Sequence, residues 1–347
     1  MILPHSPLRL KIDGDALVWN WRWLARMSGR AACGAAVKAD GYGIGARETL
    51  RRLGSAGCRD FFVATWAEAE DLMPLLGDAS LSVLHGLAEE ELEHAAGSRA
   101  KPVLNTPAQV QRWRGVGQGR ACDVMIDTGM NRLGLSADDV AAGLLDGLEI
   151  DTLMSHLASA DEDAASNARQ LGAFIAVAAK VPARRLSLAN SAGICLGEDY
   201  AFGLTRPGLA LYGGIPRREA TGNVRQVVRP EAQIVQRRTV RAGEGVGYNA
   251  TFTAEREMEL AILNVGYADG YLRGFSGTGR ARIGDGFAPV VGRVSMDLTA
   301  IQVDAPDLKE GDWVELEYDL PAASAQSGLS QYELLTGLGR RYRREWL

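Results

Sequence analysis

The segment Ala36-Val-Lys38-Ala-Asp-Gly-Tyr42-Gly-Ile-Gly45 brings an amine, a phenol and three glycines into one short stretch. A lysine at the end of a buried strand is partly desolvated, which lowers its pKa and frees the neutral amine to act as nucleophile or base. The competing expectation is a lysine that reaches out to solvent, the commonest fate of the residue. The neighbours tell against it. Glycines let a ligand approach the backbone closely, and a tyrosine hydroxyl can bond an anion.

Lys38 is also the first of eight polar residues that each follow a short apolar run. The runs cover 33–37, 61–64, 81–84, 102–104, 122–126, 150–154, 186–189 and 202–204, and they lead into Lys38, Thr65, His85, Asn105, Asp127, His156, Asn190 and Arg206. The runs are continuous rather than alternating, as strands covered on both faces should be. Helices fit between them. Asp13 reads as the N-cap of a helix to about Ser28, with Leu17, Trp21 and Leu24 inward and Gly29 as its stop. Thr106 before Pro107, and Ser136 with Asp139 three residues on, mark further starts. A longer helix is expected over 161–180, with Leu171, Phe174, Ile175 and Ala178 as its buried stripe.

Eight strand–helix units predict an α/β fold built on a (β/α)8 TIM barrel, in which the carboxyl ends of the strands share one mouth. A doubly wound sheet would carry a Gly-rich dinucleotide fingerprint after its first strand, and this chain has none. From about Asn223 the pattern changes to alternation, as in Val314, Leu316 and Tyr318 against Glu315 and Glu317, with turns such as Gly284-Asp-Gly286. That predicts a mainly antiparallel β domain. The expected division is 1–222 and 223–347, residues 1–10 being candidates to pack with the second domain.

Composition narrows the function. The 347 residues carry a net charge of −5 with both signs interspersed, so a nucleic-acid surface is not expected. The final basic cluster, Arg340, Arg341, Arg343 and Arg344, is read as a solvated helix end or a salt-bridged tail. Cys33, Cys58, Cys122 and Cys195 are too dispersed for zinc or a disulfide framework, and a reducing, cytoplasmic location fits them. No signal peptide, membrane span or metal site is expected.

The lysine segment is similar to the pyridoxal-phosphate motif of alanine racemases, and the resemblance continues through most of the chain. It is carried by Ile126-Asp-Thr-Gly-Met-Asn-Arg132-Leu-Gly134, Ser155-His156, Asn190-Ser191-Ala192, Arg206-Pro-Gly208-Leu-Ala-Leu-Tyr212, Val246-Gly-Tyr248, Gly266-Tyr267-Ala-Asp-Gly270, Ser295-Met296-Asp297 and Tyr332-Glu-Leu-Leu-Thr336. The resemblance implies a pyridoxal 5'-phosphate enzyme, with Lys38 bonded to the cofactor aldehyde and Tyr42, Ser191, Gly208, Leu209 and Tyr332 around its phosphate. For Ser191 the residues alone leave a helix N-cap equally open.

Arg206 would face the cofactor ring nitrogen. Lys38 and Tyr248 would act as bases on opposite faces of the substrate α-carbon, and His156, bonded to Tyr248 and backed by Arg206, would support a tyrosine whose free pKa is near ~10. Arg132 and the Met296 backbone would hold the substrate carboxylate, and Tyr267 with Tyr332 would narrow the entrance. Tyr248 would serve the partner subunit of a homodimer with shared sites.

Three positions depart from the family pattern. Met125 stands where a lysine, carbamylated in some members, precedes the arginine motif, Ser295 where cysteine is common, and Ile44 where histidine is usual. The implied activity is interconversion of L- and D-alanine. A racemase of broader range, taking serine, lysine or arginine, is the nearest alternative. A decarboxylase or metal-dependent aldolase of the same architecture, or a cofactor-binding protein without activity, is further off, because the second domain keeps the proposed base Tyr248.

Overall fold

The computed structural model describes residues 5–347. Among them the chain forms two units, one of residues 17–211 and 215–225, the other of 5–16, 212–214 and 226–347.

In the first unit the continuous apolar runs become a parallel sheet. Its order is Ala35–Ala36, Asp60–Val63, Ser80–Val83, Lys101–Leu104, Cys122–Met125, Ile150–Met154 and Arg185–Ser187, each strand paired with the next. Leu204–Thr205 completes the ring. It pairs in parallel with Ala32–Cys33, and backbone bonds run from Gly203 N–H to Leu186 O at 3.1 Å and from Ala36 N–H to Pro207 O at 2.9 Å. This is the expected barrel. The strand starts carry ion pairs, with Arg185 on Asp60 at 2.8 Å, Lys101 on Asp123 at 3.6 Å, and Lys101 also on Asp151. The opposite ends are left for chemistry.

Most helix starts follow local chemistry. Asp13 accepts the Ala16 N–H at 2.8 Å ahead of Gly14–Met27, Thr106 caps Pro107–Val116, and Ser136 with Asp139 forms a capping box before Ala137–Ala141. The helix expected over 161–180 is shorter, Ala165–Ala178, and turned from the apolar stripe. Its buried residues are Asn167, Gln170, Phe174 and Val177, while Ile175 is half exposed. Two of the four inward positions are polar and hydrogen-bonded: Gln170 donates to His156 O at 3.0 Å, and Asn167 donates to Glu162 O at 2.9 Å. An apolar periodicity cannot find such a face.

The second unit is a closed antiparallel sheet with one parallel pair. Its order is Met258–Leu263, Thr299–Val303, Gly286–Val291, Arg280–Ile283, Trp313–Leu316, Val228–Val240, Leu8–Ile12 and Arg343–Trp346, and the long strand Val228–Val240 returns to pair with Met258–Leu263. Leu8–Ile12 lies between Val228–Val240 and Arg343–Trp346, antiparallel to the first and parallel to the second. Of the terminal arginines, Arg343 and Arg344 therefore lie in a strand and not at a helix end, and the ion pairs of Arg341 and Arg343 fit the expected salt-bridged tail. A hairpin of Gly245–Val246 and Phe252–Thr253 packs its Val246 into a cluster with Val240, Ala254, Met258, Leu260 and Val291.

The rotation of the helix Ala165–Ala178 predicts an asymmetry between neighbours. Phe174→Ala is expected to cost about 3–5 kcal/mol of stability, and Ile175→Ser less than about 0.5 kcal/mol. Denaturant unfolding of the two variants checks this, and comparable losses would contradict the buried face described.

Candidate active site

The chain after Lys38 is bent in a way that L-residues resist. Ala39, Asp40 and Tyr42 have φ of 53°, 52° and 54°, with Gly41 between them at 62°. A run of left-handed residues costs of order 1 kcal/mol for each non-glycine and persists only where its surroundings impose it. Here the surroundings are visible. Glu68 accepts the Ala39 N–H at 2.6 Å and the Ala64 N–H at 2.7 Å, and Asp40 accepts the Ala46 N–H at 2.9 Å. The turn delivers Tyr42 to a buried position where its hydroxyl touches Gly208: a Cβ on that glycine would stand 2.1 Å from the oxygen.

Ser191 is not the N-cap that its position allowed. Asn190 takes that role by accepting the Gly193 N–H at 2.8 Å. The buried Ser191 Oγ instead accepts from Gly208 N–H at 2.9 Å and Ala210 N–H at 3.2 Å, which leaves its own proton to donate. Tyr42, Ser191, Gly208 and Leu209 therefore sit at one junction.

Arg206 is buried, and among the described residues no carboxylate pairs with it. One η-nitrogen donates to Ser155 O at 2.5 Å and the other to Ser187 Oγ. Burial lowers its pKa to about 10, so it remains a cation at neutral pH. Its charge is felt by its neighbours. The Lys38 amine is held below the usual lysine range by burial and then by Arg132 and Arg206, with Glu68 opposing. His156 falls to about 3, again through burial first and then Arg206, Arg132 and Lys38. Lys38, Arg132, His156 and Arg206 thus form one electrostatic group.

Arg132 is exposed on a loop that is itself tightly built. Asp127 Oδ1 accepts three backbone N–H groups, from Gly129, Met130 and Asn131, at 2.8, 3.0 and 3.1 Å. Thr128 Oγ1 lies 2.8 Å from Ser155 Oγ and accepts from Gln170 Nε2 at 3.1 Å. Met125 is buried beneath this loop's start, and among the described residues the Arg132 side chain itself makes no hydrogen bond or ion pair.

The remaining candidates lie in the second unit. Tyr248 sits at the hairpin tip between Gly247 and Asn249, whose φ are 72° and 62°, and is 65 % exposed. Met296 and Tyr332 are also exposed, and Tyr267 N–H bonds Ser295 O at 3.0 Å. An open groove of about 880 Å³ runs beside Tyr248, lined in part by Val246, Arg293, Ser295 and Leu298. Ser295 caps its own turn by accepting the Leu298 N–H at 3.2 Å, and Ile44 is fully buried.

Sequence reasoning missed Glu68, Ser187 and Gln170, and gave Ser155, quoted beside His156, no role of its own. Glu68 left a signal, since Thr65-x-x-Glu68 has capping-box spacing and the box is formed, but nothing in that spacing announces the reach to Ala39.

Residues 12–216 match the model of the alanine racemase N-terminal domain, and residues 227–346 that of the alanine racemase C-terminal domain. An alanine racemase of Acidiphilium cryptum is 45 % identical, covering 96 % of this chain and 97 % of the relative. The chain belongs to the alanine racemase family. A biosynthetic alanine racemase of Agrobacterium fabrum is 40 % identical over 99 % of this chain and 94 % of its own length. The crystal structure of alanine racemase from Bartonella henselae, with covalently bound pyridoxal phosphate, superposes with a TM-score of 0.92 at 36 % identity, covering 99 % of this chain and 100 % of that one.

The site of this racemase-family chain suits the same cofactor. A desolvated amine stands with a buried cation, a serine hydroxyl with a free proton and a glycine too closely packed for a Cβ, which together match an aldehyde, a ring nitrogen and a phosphate.

The neutral His156 has a consequence for acid stability. Its folded-state pKa is below the unfolded value of ~6.5, so the unfolded chain takes up the proton first as pH falls. Its contribution is complete above pH ~6.5 and is lost as pH drops toward about 3. His156→Gln is expected to give a shallower decline of the thermal midpoint between pH 6 and pH 4. Parallel curves for the two proteins would show that the histidine is not held neutral.

Proposed function

We propose that the chain interconverts L-alanine and D-alanine by carrying the α-proton between two bases, Lys38 on one face of the carbon and Tyr248 on the other. The observation that carries this reading is the lowered Lys38 amine in one group with Arg206 and His156, beside the Tyr42, Ser191 and Gly208 junction.

Tyr42, Ser191, Gly208 and Leu209, joined by Tyr332, would hold the phosphate of pyridoxal 5'-phosphate, and Lys38 would hold its aldehyde carbon. When bound, the cofactor supplies a link to the substrate amine and a ring that accepts electron density from the α-carbon. Lys38, when not bonded to the aldehyde, would be available as a neutral base for the α-proton, as its desolvation favours. Arg206 keeps its own proton at working pH and would offer the ring nitrogen a hydrogen bond only. Electron withdrawal by a ring held in this way would be weak, which would favour return of a proton to the α-carbon over breakage of its other bonds.

His156, held neutral by its surroundings, can accept a hydrogen bond from the Tyr248 hydroxyl without adding positive charge. Arg132 and the Met296 backbone would take the substrate carboxylate, and Tyr267 with Tyr332 would limit the side chain to about a methyl group. Tyr248 would complete the barrel of a second copy in a homodimer. Its 65 % exposure supports this, as do the 54 % exposure of Met296 and the adjoining groove. Cytoplasmic placement is supported by four buried free cysteines.

The assay is enantiomer interconversion across alanine, serine, lysine and arginine, with alanine expected to be turned over fastest. Lys38→Ala should abolish both turnover and the yellow colour of the holoenzyme. A colourless wild-type protein purified with cofactor would overturn the cofactor assignment. Tyr248→Phe should slow exchange of the α-proton with solvent by about 10²–10⁴-fold for one enantiomer and far less for the other. Equal slowing for both would contradict the two-base assignment.

A further inference from the structure

Arg341 belongs to the basic cluster near the end of the chain and has no part in the proton transfers above. Its guanidinium grips Asp269 with a pair of parallel bonds, Nε to Oδ1 at 2.6 Å and Nη2 to Oδ2 at 2.7 Å. Nη1 reaches the other way, to Asp297 Oδ1 at 2.8 Å. Asp269 is completely buried and also accepts the Gly266 N–H at 3.0 Å, whereas Asp297 is half exposed.

The two carboxylates lie on two different loops. Asp269 follows Tyr267 by two residues, and Asp297 follows Met296 directly. The loops are bonded to each other through Tyr267 N–H to Ser295 O and Ala268 N–H to Met296 O, both at 3.0 Å. They are also packed to contact: a Cβ on Gly266 would stand 2.4 Å from the Ser295 and Met296 carbonyl oxygens. A third stretch joins them. Gly337 to Arg341 follows the helix Gln331–Thr336 that carries Tyr332, and Gly339 N–H bonds Asp269 O at 3.1 Å. A Cβ on Gly270 would fall 2.3 Å from Gly337 O. Tyr267, Met296 and Tyr332 therefore hang from one junction with a single guanidinium tying its acidic members.

We propose that Arg341 is a positioning residue for substrate binding. Through Asp269 and Asp297 it fixes the spacing between Tyr267 and the Met296 backbone, and so sets the width of the entrance and the seat of the substrate carboxylate. The inference rests on the assignment of Tyr267 and Met296 as substrate-facing. The physical requirement is for a fork. An arginine can bond two carboxylates in fixed directions, while a lysine offers a point charge with no such geometry.

The test measures KM and kcat for alanine in holoenzyme variants, with the cofactor absorption band and thermal midpoint recorded on the same preparations. Arg341→Met is expected to raise KM about tenfold and Asp297→Asn about threefold, with kcat within about twofold and the band unchanged, because misplacement of a binding group by a fraction of an ångström is costly. Arg341→Lys should fall between Arg341→Met and the wild type. Unchanged KM in the Arg341→Met and Asp297→Asn proteins overturns the proposal, as does a joint loss of kcat, band and midpoint at constant KM. If Arg341→Met does not fold, Asp297→Asn decides by itself, a raised KM supporting the positioning role and an unchanged one overturning it. Tyr267→Ala and Met296→Pro, which removes a backbone N–H, separate the two levels. If neither raises KM, the substrate-facing assignment fails and takes the proposal with it. If both raise KM while the Arg341 and Asp297 variants do not, the positioning role alone fails.

Discussion

Burying Arg206 on neutral acceptors is the constraint around which the barrel mouth is organised. A guanidinium enclosed with Ser155 O and Ser187 Oγ, and paired with no carboxylate among the described residues, radiates its charge to whatever lies nearby. Lys38 and His156, held toward their neutral forms first by burial, are pushed further the same way by this charge and by that of exposed Arg132, the larger of the two at Lys38. A salt-bridged arginine would have cancelled that influence. The geometry that supplies the neutral acceptors is ordinary barrel geometry, since Ser155 and Ser187 come from the ends of adjacent parallel strands.

The strained turn after Lys38 works on a different scale. Three non-glycine residues with positive φ are maintained by carboxylates that accept backbone N–H groups, so local cost is offset by charge-assisted bonds from Glu68 and Asp40. The same device recurs in the Arg132 loop, where Asp127 gathers three N–H groups on one oxygen. In both places an acid that does no chemistry shapes the loop that does.

The sequence showed what repeats and what alternates. Continuous apolar runs located the barrel strands within one or two residues, because a strand covered on both faces has no polar position to confuse the pattern. N-caps were legible at Asp13, Thr106 and Ser136 because they are purely local. The start and inward face of the helix Ala165–Ala178 were not, since that face uses Asn167 and Gln170 to satisfy backbone carbonyls of the loop before it, at Glu162 and His156. The site follows the same division. Lys38 and Arg206 stand out as strand-end residues, whereas the roles of Glu68, Ser187 and Gln170 depend on partners that only the folded chain brings near. Ser191 shows the middle case, where the sequence left two readings and the cap at Asn190 chose between them.

The placement of Leu8–Ile12 bears on how the molecule is made. This first strand is paired on one side with Val228–Val240 and on the other with Arg343–Trp346, so the entire barrel is spliced into the second unit. As the chain leaves the ribosome, every strand of the barrel emerges before Leu8–Ile12 meets either neighbour. The barrel can therefore mature early, while Leu8–Ile12 waits for Val228–Val240 on one side and longer still for Arg343–Trp346 on the other. A chain without Arg343–Trp346 would keep the ring closed by Val228–Val240 and Met258–Leu263 but leave Leu8–Ile12 as an uncovered edge, a ready template for pairing with other chains.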